Sequence, residues 1–110
     1  MSNKINLPFR KEFRDKILSG QKTCTSRTKQ YGKFGDTFEA FGAEFTITHL
    51  ERANKYGYTL FDIAHYHYRE EGFDTPEEFI ECWKKIHPRK GYDPDQTVYV
   101  HFFKRLDNGG

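Results

Sequence analysis

The hydrophobic positions near the start of the chain follow a helical period. Phe9, Phe13 and Ile17 recur every four residues, which places their side chains on one face of a helix. Pro8 suits the first turn of that helix, and Gly20 suits its C-terminal cap. The pattern therefore predicts a helix that begins near Pro8 and ends just before Gly20.

The next eight residues, 20–27, read GQKTCTSR and are expected to start a strand. Alternation along a strand would divide their side chains between two faces, one with Thr23, Thr25 and Arg27 and the other with Lys22, Cys24 and Ser26. Because neither face is apolar, at least one is expected to meet a polar partner. Lysine and arginine together suit a phosphate or a carboxylate. The alternative is an exposed edge strand on which lysine prevents aggregation.

Three further segments read as strands. Residues 37–41 and 44–50 look like two strands joined by a tight turn at Gly42-Ala43, with Phe45, Ile47 and His49 on one face. Residues 97–104 give the clearest strand pattern in the chain. These segments lie on either side of a middle region of different character.

The middle region predicts two helices. Thr59 can cap the first, whose apolar face carries Leu60, Ile63, Ala64 and His67. Glu70-Glu71-Gly72-Phe73 interrupts it, and Thr75-Pro76 begins the second, which ends at His87-Pro88. Strands that flank a helical middle without a βαβ rhythm indicate an α+β fold, built as a small curled sheet or open β-barrel.

The composition is that of one folded domain, residues 1–110. The chain has 110 residues, of which 35% are hydrophobic and 17% aromatic, so its core must be rich in phenylalanine and tyrosine. This hydrophobicity is too high for a disordered tail. The formal net charge of +2 permits a local nucleic-acid patch but does not by itself argue for one.

Other classes of protein and site are not indicated. No apolar run approaches the roughly 20 residues of a membrane span, and no signal-peptide pattern opens the chain, so we expect a cytoplasmic protein. Cys24 and Cys82 are read as two free thiols. The five histidines show no metal-ligand spacing, so no metal or other cofactor is expected. The oligomeric state is left open.

The aromatic residues of the middle region allow two interpretations. Trp83 shares a helical face with Phe79 and Ile80, which favours core packing over base stacking. Tyr56, Tyr58, Tyr66 and Tyr68 are harder to place. Arginines lie on either side of them, as in the set Arg52, Tyr56, Tyr58 and Arg69, and that mixture suits a nucleic-acid surface by stacking and phosphate contact.

Taken together, the motifs resemble the ASCH domain family. The run from Ile17 to Thr23, followed by Thr25 and Arg27, is similar to that family's helix, Gly-x-Lys and later arginine. The order of the remaining motifs is similar too: Gly35-Asp36, Glu71-Gly72-Phe73, Pro76-Glu77-Glu78-Phe79 with Trp83, and the final strand Val98 to Phe103. The resemblance implies a PUA-like open β-barrel capped by two to three helices, with a cleft that binds RNA or a modified nucleoside.

One bacterial branch of that family hydrolyses N(4)-acetylcytidine to cytidine and acetate. Its lysine, its threonine three residues later and its glutamate after the helix correspond to Lys22, Thr25 and Glu71. The resemblance implies that Thr25 attacks the acetyl carbonyl, that Lys22 takes the hydroxyl proton, and that Glu71 orients the lysine or passes a proton to the leaving amine. Thr23 and Arg27 would hold the nucleoside.

The assignment of catalytic roles to Lys22, Thr25 and Glu71 depends on one geometric condition, and two alternative functions remain. Lys22 and Thr25 converge only if Lys22 lies in the turn after Gly20, or if a bulge redirects one of them. The first rival is a non-catalytic RNA-binding module whose phosphate contacts would be Lys22, Arg27, Lys29 and Lys33. The second is a ribonuclease in which Lys22 or Arg27 stabilises the transition state.

Overall fold

A four-stranded antiparallel sheet forms the frame of the molecule. The computed structural model describes residues 3–106. Its elements are a 3₁₀ helix, Lys11–Phe13, followed by α1 (Arg14–Ser19), β1 (Cys24–Arg27), β2 (Thr37–Ala40), β3 (Ala43–Ala53), α2 (Leu60–Tyr66), α3 (Pro76–Ile86) and β4 (Val98–Arg105). The strand order is β1-β4-β3-β2, and the sheet curls into a half-barrel accompanied by the three helices. The predicted α+β fold and open barrel are confirmed.

The first helix is shorter than its hydrophobic period predicted. Arg10 has extended backbone angles, so residues 8–10 lie outside any helix, the 3₁₀ helix begins at Lys11, and α1 begins at Arg14. Phe9 packs instead against Phe38 and Phe103 in the sheet, with ring centroids 5.9 and 6.0 Å away. Aromatic packing against the sheet therefore replaces the predicted first helical turn.

The hairpin between β2 and β3 turns at Phe41 and Gly42, one residue earlier than predicted. Both residues have positive φ angles, 53° and 82°, as a two-residue turn between twisted strands requires. Farther along β3, the pairing with β4 shifts register between Ile47 and His49. After that bulge His49 is exposed, whereas Phe45 and Ile47, with which alternation had placed it on one face, are buried.

The core forms two clusters, and each of them includes buried residues of β4. In the first, Phe38, Phe45 and Phe103 lie with ring centroids 5.4–5.6 Å apart. The second packs α2 and α3 against β1 and β4, and its buried members include Cys24, Leu60, Ile63, Phe79, Trp83 and Val100. The predicted caps are both present: Thr59 forms a reciprocal capping box with Asp62, and Thr75 accepts from the backbone N–H of Glu78. Within residues 3–106, no helix is long and apolar enough to cross a membrane.

His101 is a buried structural residue of β4. Its Nε2 accepts a hydrogen bond from the backbone N–H of Tyr31 at 3.0 Å, and its Nδ1 lies 3.1 Å from the carbonyl oxygen of Tyr99. These partners require a neutral ring that is protonated on Nδ1. Burial lowers the pKa of His101, and the charge of Arg27 acts in the same direction.

We expect the lowered pKa of His101 to make the fold sensitive to mild acid. Because the neutral form is favoured in the folded state, the stabilisation is complete above the unfolded pKa of about 6.5 and is lost as the pH falls toward the folded pKa. The thermal midpoint of the wild type should therefore fall between pH 7.5 and pH 5.5. His101→Gln should be less stable than the wild type at pH 7.5, and its thermal midpoint should fall by less over the same pH range.

Thermal unfolding followed by circular dichroism at several pH values measures this difference. His49→Gln is the matched control, because it makes the same chemical change at an exposed position of β3. A slope that is identical in wild type and His101→Gln would show that His101 does not carry the pH dependence.

Candidate active-site cleft

A cleft of about 230 Å³ lies between the N-terminal segment, β1, the break after α2, and α3. Its polar lining residues are Arg10, Lys22, Thr25, Ser26, Arg27, Thr28, Tyr31, Glu71 and His87, and its other lining residues are Phe9, Phe13, Phe73, Phe79, Cys82, Trp83 and Ile86. Ligand sites in proteins commonly combine apolar walls with a few converging polar groups in this way. The scale of the cleft suits a small molecule.

Backbone hydrogen bonds bring the break after α2 onto the edge of the sheet. The carbonyl oxygen of Glu70 accepts from the backbone N–H groups of Thr23 at 2.7 Å and Cys24 at 3.0 Å. Because β1 is an edge strand, these bonds occupy part of its free edge. Glu71, the next residue, is thereby placed beside the residues that lead into β1.

Gly72 allows the two segments to approach closely. Its φ angle is +99°, and a Cβ atom at this position would lie 3.1 Å from Cβ of Lys22 and 3.2 Å from Cδ of Lys16. A side chain here would therefore be strained by the backbone conformation and crowded by both lysines. Gly72 therefore permits a sharp turn directly after Glu71.

Lys22 and Glu71 form a buried ion pair. The ammonium group of Lys22 donates to Oε1 of Glu71 at 3.1 Å and to the backbone carbonyl oxygen of the same residue at 2.9 Å. The two side chains are only 3% and 4% exposed. A pair removed from water to this extent is tolerated only when further hydrogen bonds satisfy its atoms, and the backbone contact is one of these.

Ser26 supplies another of those hydrogen bonds. Its hydroxyl donates to Oε2 of Glu71 at 2.6 Å, a distance typical of a strong bond to a carboxylate. Lys22, Glu71 and Ser26 therefore form one continuous hydrogen-bonded chain at the wall of the cleft. Strand alternation had placed Ser26 with Lys22, but nothing in the sequence paired it with Glu71, so its role was missed.

Thr25 and Arg27 form a second polar group in the cleft. The Nε–H of Arg27 donates to Oγ1 of Thr25 at 3.2 Å, and its Nη2 donates to the carbonyl oxygen of Pro8. The guanidinium carbon lies 4.9 Å from the ring centroid of Phe9 and 5.2 Å from that of Tyr31. Burial lowers the pKa of Arg27, against the opposing effect of Tyr31.

The structure brings together four of the five residues singled out from the sequence. Lys22, Thr25, Arg27 and Glu71 all line the cleft, whereas Thr23 lies in a separate groove beside Phe103 and Lys104. The predicted strand from residue 20 is wrong in extent, because β1 begins only at Cys24.

Lys22 lies in the turn after Gly20, where its backbone N–H bonds to the carbonyl oxygen of Lys16. This position meets the first of the two conditions under which Lys22 and Thr25 were expected to converge. Strict strand alternation, which would have separated them, does not apply to Lys22. Because its ammonium group is buried against Glu71, Lys22 is also poorly placed as the exposed phosphate contact of an RNA-binding surface.

The aromatic walls of the cleft were recognised only in part. Trp83 and Phe79 are core residues, as predicted, but the same side chains also line the cleft. Of the tyrosines in the middle region, Tyr58 and Tyr68 pack against the second core cluster, while Tyr56 and Tyr66 are exposed. Tyr31, which follows β1, was not singled out because a lone tyrosine in a polar loop carries no pattern.

The side chains of the cleft favour hydroxyl chemistry. Burial raises the pKa of the Cys82 thiol, which makes it a poor nucleophile at neutral pH. Across residues 3–106, no group of three or more histidine, cysteine or acidic side chains is arranged to hold a metal ion. The hydroxyl of Ser26 is bonded to the buried ion pair, and Thr25 lines the same cleft.

We expect removal of one member of the ion pair to destabilise the fold strongly. Lys22→Ala leaves the buried carboxylate of Glu71 without its cation and should lower the free energy of unfolding by about 3–5 kcal/mol. The double variant Lys22→Met/Glu71→Gln should lose less unfolding free energy than the sum of the losses in Lys22→Met alone and Glu71→Gln alone, because it leaves no buried charge without a partner.

Urea denaturation of the four proteins in this double-mutant cycle measures the coupling between the two residues. Lys84→Ala is the control, because Lys84 forms an exposed pair with Glu81 and its loss should cost no more than about 0.5 kcal/mol. Strictly additive effects of the Lys22 and Glu71 changes would contradict the predicted coupling.

The fold matches solved structures across nearly its whole length. An ASCH domain from Lactobacillus crispatus superposes with a TM-score of 0.63 at 14% identity, covering 94% of this chain and 78% of that one. The hypothetical protein PH0355 gives a TM-score of 0.68 at 14% identity, covering 96% and 100% of the two chains. Protein EF3133 from Enterococcus faecalis, of family DUF984, gives 0.55 at 21% identity, covering 87% and 71%.

Sequence comparison adds no match to these structural ones. No protein-family model matches the chain, and no curated protein matches it either. At 14–21% identity, the structural matches establish the architecture and leave the activity open. The resemblance identified from the sequence motifs is thus confirmed at the level of the fold: this chain has the fold of an ASCH domain.

Proposed function

We propose that this protein is an ASCH-family amidohydrolase that releases acetate from an N-acylated cytidine, with N(4)-acetylcytidine as its substrate. One observation carries the proposal: Lys22, Thr25 and Glu71 line a single small cleft, although Glu71 lies 46 positions after Thr25 in the sequence. These are the residue types and the order that the resemblance to the acetylcytidine-hydrolysing branch implies. We also propose a cytoplasmic location, because two isolated cysteines suit a reducing compartment.

The first step is attack by Thr25 on the acetyl carbonyl. Lys22 transfers a proton to Glu71 across their 3.1 Å contact and then, as a neutral amine, takes the hydroxyl proton of Thr25. The threonine oxygen bonds to the carbonyl carbon, and the carbonyl oxygen becomes an oxyanion. Arg27 stands beside Thr25 and supplies positive charge where this negative charge develops.

The second step breaks the bond between the acetyl carbon and N(4) of cytidine. The departing amine needs a proton, and the protonated Glu71 is its source. Cytidine leaves with an acetyl group on Thr25, and the Lys22 ammonium and Glu71 carboxylate are restored. A water molecule then attacks the acetyl-threonine, with the same groups acting in reverse, and acetate is released.

The walls of the cleft suit a pyrimidine nucleoside. Aromatic side chains of Phe9, Tyr31, Phe73 and Trp83 provide faces on which a flat base can stack. The positive charge of Arg27 suits the carbonyl oxygens of the base or its acetyl group. Thr23, which lies in the separate groove, contributes no side chain to this pocket.

The proposal predicts that the purified protein converts N(4)-acetylcytidine to cytidine and acetate. Thr25→Ala removes the nucleophile and should lower kcat by at least about 10²-fold, because the direct attack of water must replace the acyl-threonine route. Chromatographic quantification of cytidine under substrate saturation measures the change.

Thr48→Ala is the matched control, since it makes the same chemical change on an exposed position of β3 outside the cleft. It should retain wild-type turnover. Turnover that persists undiminished in Thr25→Ala would remove Thr25 from the role of nucleophile, and the absence of turnover in the folded wild type would reject the amidohydrolase.

RNA binding is the second candidate function, and the surface beside the cleft favours it. Lys29 and Lys33 are exposed on the loop that follows β1, and the ammonium of Lys29 lies 5.1 Å from the ring centroid of Tyr31, a lining residue of the cleft. An aromatic ring beside exposed lysines can stack a base while the lysines contact phosphate. In this arrangement RNA would cross the mouth of the cleft.

This second candidate predicts affinity that falls steeply with salt. Lys29→Ala and Lys33→Ala should each weaken binding of a single-stranded RNA and reduce the slope of log affinity against log salt by about 0.7. Fluorescence anisotropy at several salt concentrations measures the slope, with exposed Lys84→Ala as the control. Unchanged slopes in both loop variants would exclude this surface, and shortening of the RNA during the titration would instead indicate the ribonuclease.

A further inference from the structure

Both oxygens of the Glu71 carboxylate are already occupied in the resting site. Oε1 accepts from Lys22 at 3.1 Å, and Oε2 accepts from the hydroxyl of Ser26 at 2.6 Å. The side chain of Glu71 is 4% exposed, so it presents almost no surface to the cleft. A proton that leaves Glu71 for a substrate therefore has to pass through one of its two hydrogen-bonding partners.

Ser26 is the partner suited to carry that proton. Lys22 is committed to the other half of the reaction, since it accepts the proton of Thr25. A hydroxyl group can donate one proton and accept another at the same time, which an ammonium group cannot do. Ser26 also lines the cleft, so a hydroxyl that is bonded to the buried carboxylate belongs to the wall of the space in which a substrate would bind.

We propose that Ser26 is a further catalytic residue, the hydroxyl that passes a proton from Glu71 to the departing amine. This inference rests on the proposed amidohydrolase function. As the bond between the acetyl carbon and N(4) breaks, N(4) takes the proton of Ser26, and the serine oxygen takes the proton carried by Glu71. Glu71 returns to its carboxylate form, and the serine hydroxyl is unchanged.

The proton balance of the whole first half-reaction then closes without another reagent. The proton that Lys22 gave to Glu71 leaves through Ser26 to cytidine, and the proton of Thr25 replaces it on Lys22. The carboxylate thus receives a proton on the Lys22 side and delivers one on the Ser26 side. Two neighbouring residues of β1 thus have different roles. Thr25 forms the bond to the acetyl carbon, and Ser26 protonates N(4) as its bond to that carbon breaks.

Leaving groups of different basicity test this role. In Ser26→Ala the departing amine has no proton donor, and kcat for N(4)-acetylcytidine should fall about 10²-fold or more. N(4)-acetyl-5-fluorocytidine gives a less basic leaving amine, because fluorine withdraws electrons, so its departure depends less on a proton. The ratio of its kcat to that of the parent substrate should therefore be several-fold higher in Ser26→Ala than in the wild type.

Ser26→Thr keeps a hydroxyl on the same carbon and should restore most of the activity and the wild-type ratio. If the alanine variant does not fold, Ser26→Cys, whose thiol is a weaker hydrogen-bonding group than the hydroxyl, should shift the ratio in the same direction. Circular dichroism melts establish which variants are folded.

The possible results separate the two proposals. An equal loss of kcat on both substrates in Ser26→Ala would mean that Ser26 only positions Glu71, and it would overturn the inference while the amidohydrolase stands. Full activity in Ser26→Ala would overturn it as well. A folded wild type that hydrolyses neither substrate would reject the proposed function itself, and the inference with it.

Discussion

The buried contact between Lys22 and Glu71 is the constraint on which the rest of the site depends. A lysine and a glutamate that are 3% and 4% exposed persist only because further hydrogen bonds satisfy them: the lysine also donates to a backbone carbonyl oxygen, and the carboxylate also accepts from Ser26. The carbonyl oxygen of Glu70 holds the edge of β1, and that of Glu71 accepts from the lysine. The break after α2 and the start of β1 are therefore one structural unit, although they lie far apart in the sequence.

This unit explains why polar residues occupy an edge strand that a small barrel could have filled with apolar ones. Cys24 alone of β1 points into the second core cluster, while Thr25, Ser26 and Arg27 line the cleft. The aromatic residues of the N-terminal segment and of α3 enclose these groups, and their low polarity strengthens the electrostatic contacts inside. Buried charged groups whose hydrogen bonds are satisfied by their neighbours are common in active sites.

The sequence predicted those features that depend on local pattern. The caps at Thr59 and Thr75 were foreseen because each depends on residues within one helical turn, and the positive φ of Gly20 ends α1 as its pattern indicated. The true beginning of α1 was missed because Phe9 has the right period for a helix but packs on the sheet instead. His49 was assigned to the wrong face because the bulge between Ile47 and His49 shifts the register. The alternation of residue types along the sequence does not reveal such a bulge.

The candidate site was predictable only as far as the family resemblance reached. The resemblance supplied Lys22, Thr25 and Glu71, but the contact of Ser26 with Glu71 is made across 45 residues of chain, and a single sequence carries no signal for such a pair. The same holds for Tyr31, whose position depends on the bond of its N–H to buried His101. Thr23 lies outside the cleft because β1 begins only at Cys24. Strand propensity alone does not locate that first residue.

Trapping the acylated protein would show directly whether Thr25 is the nucleophile. The wild type would be mixed with N(4)-acetylcytidine, quenched in acid within the first turnovers, digested, and sequenced by tandem mass spectrometry. The account predicts an acetyl group on Thr25, together with release of cytidine. An acetyl group on Lys22 or Ser26 instead, or a folded protein that releases no cytidine, would contradict it.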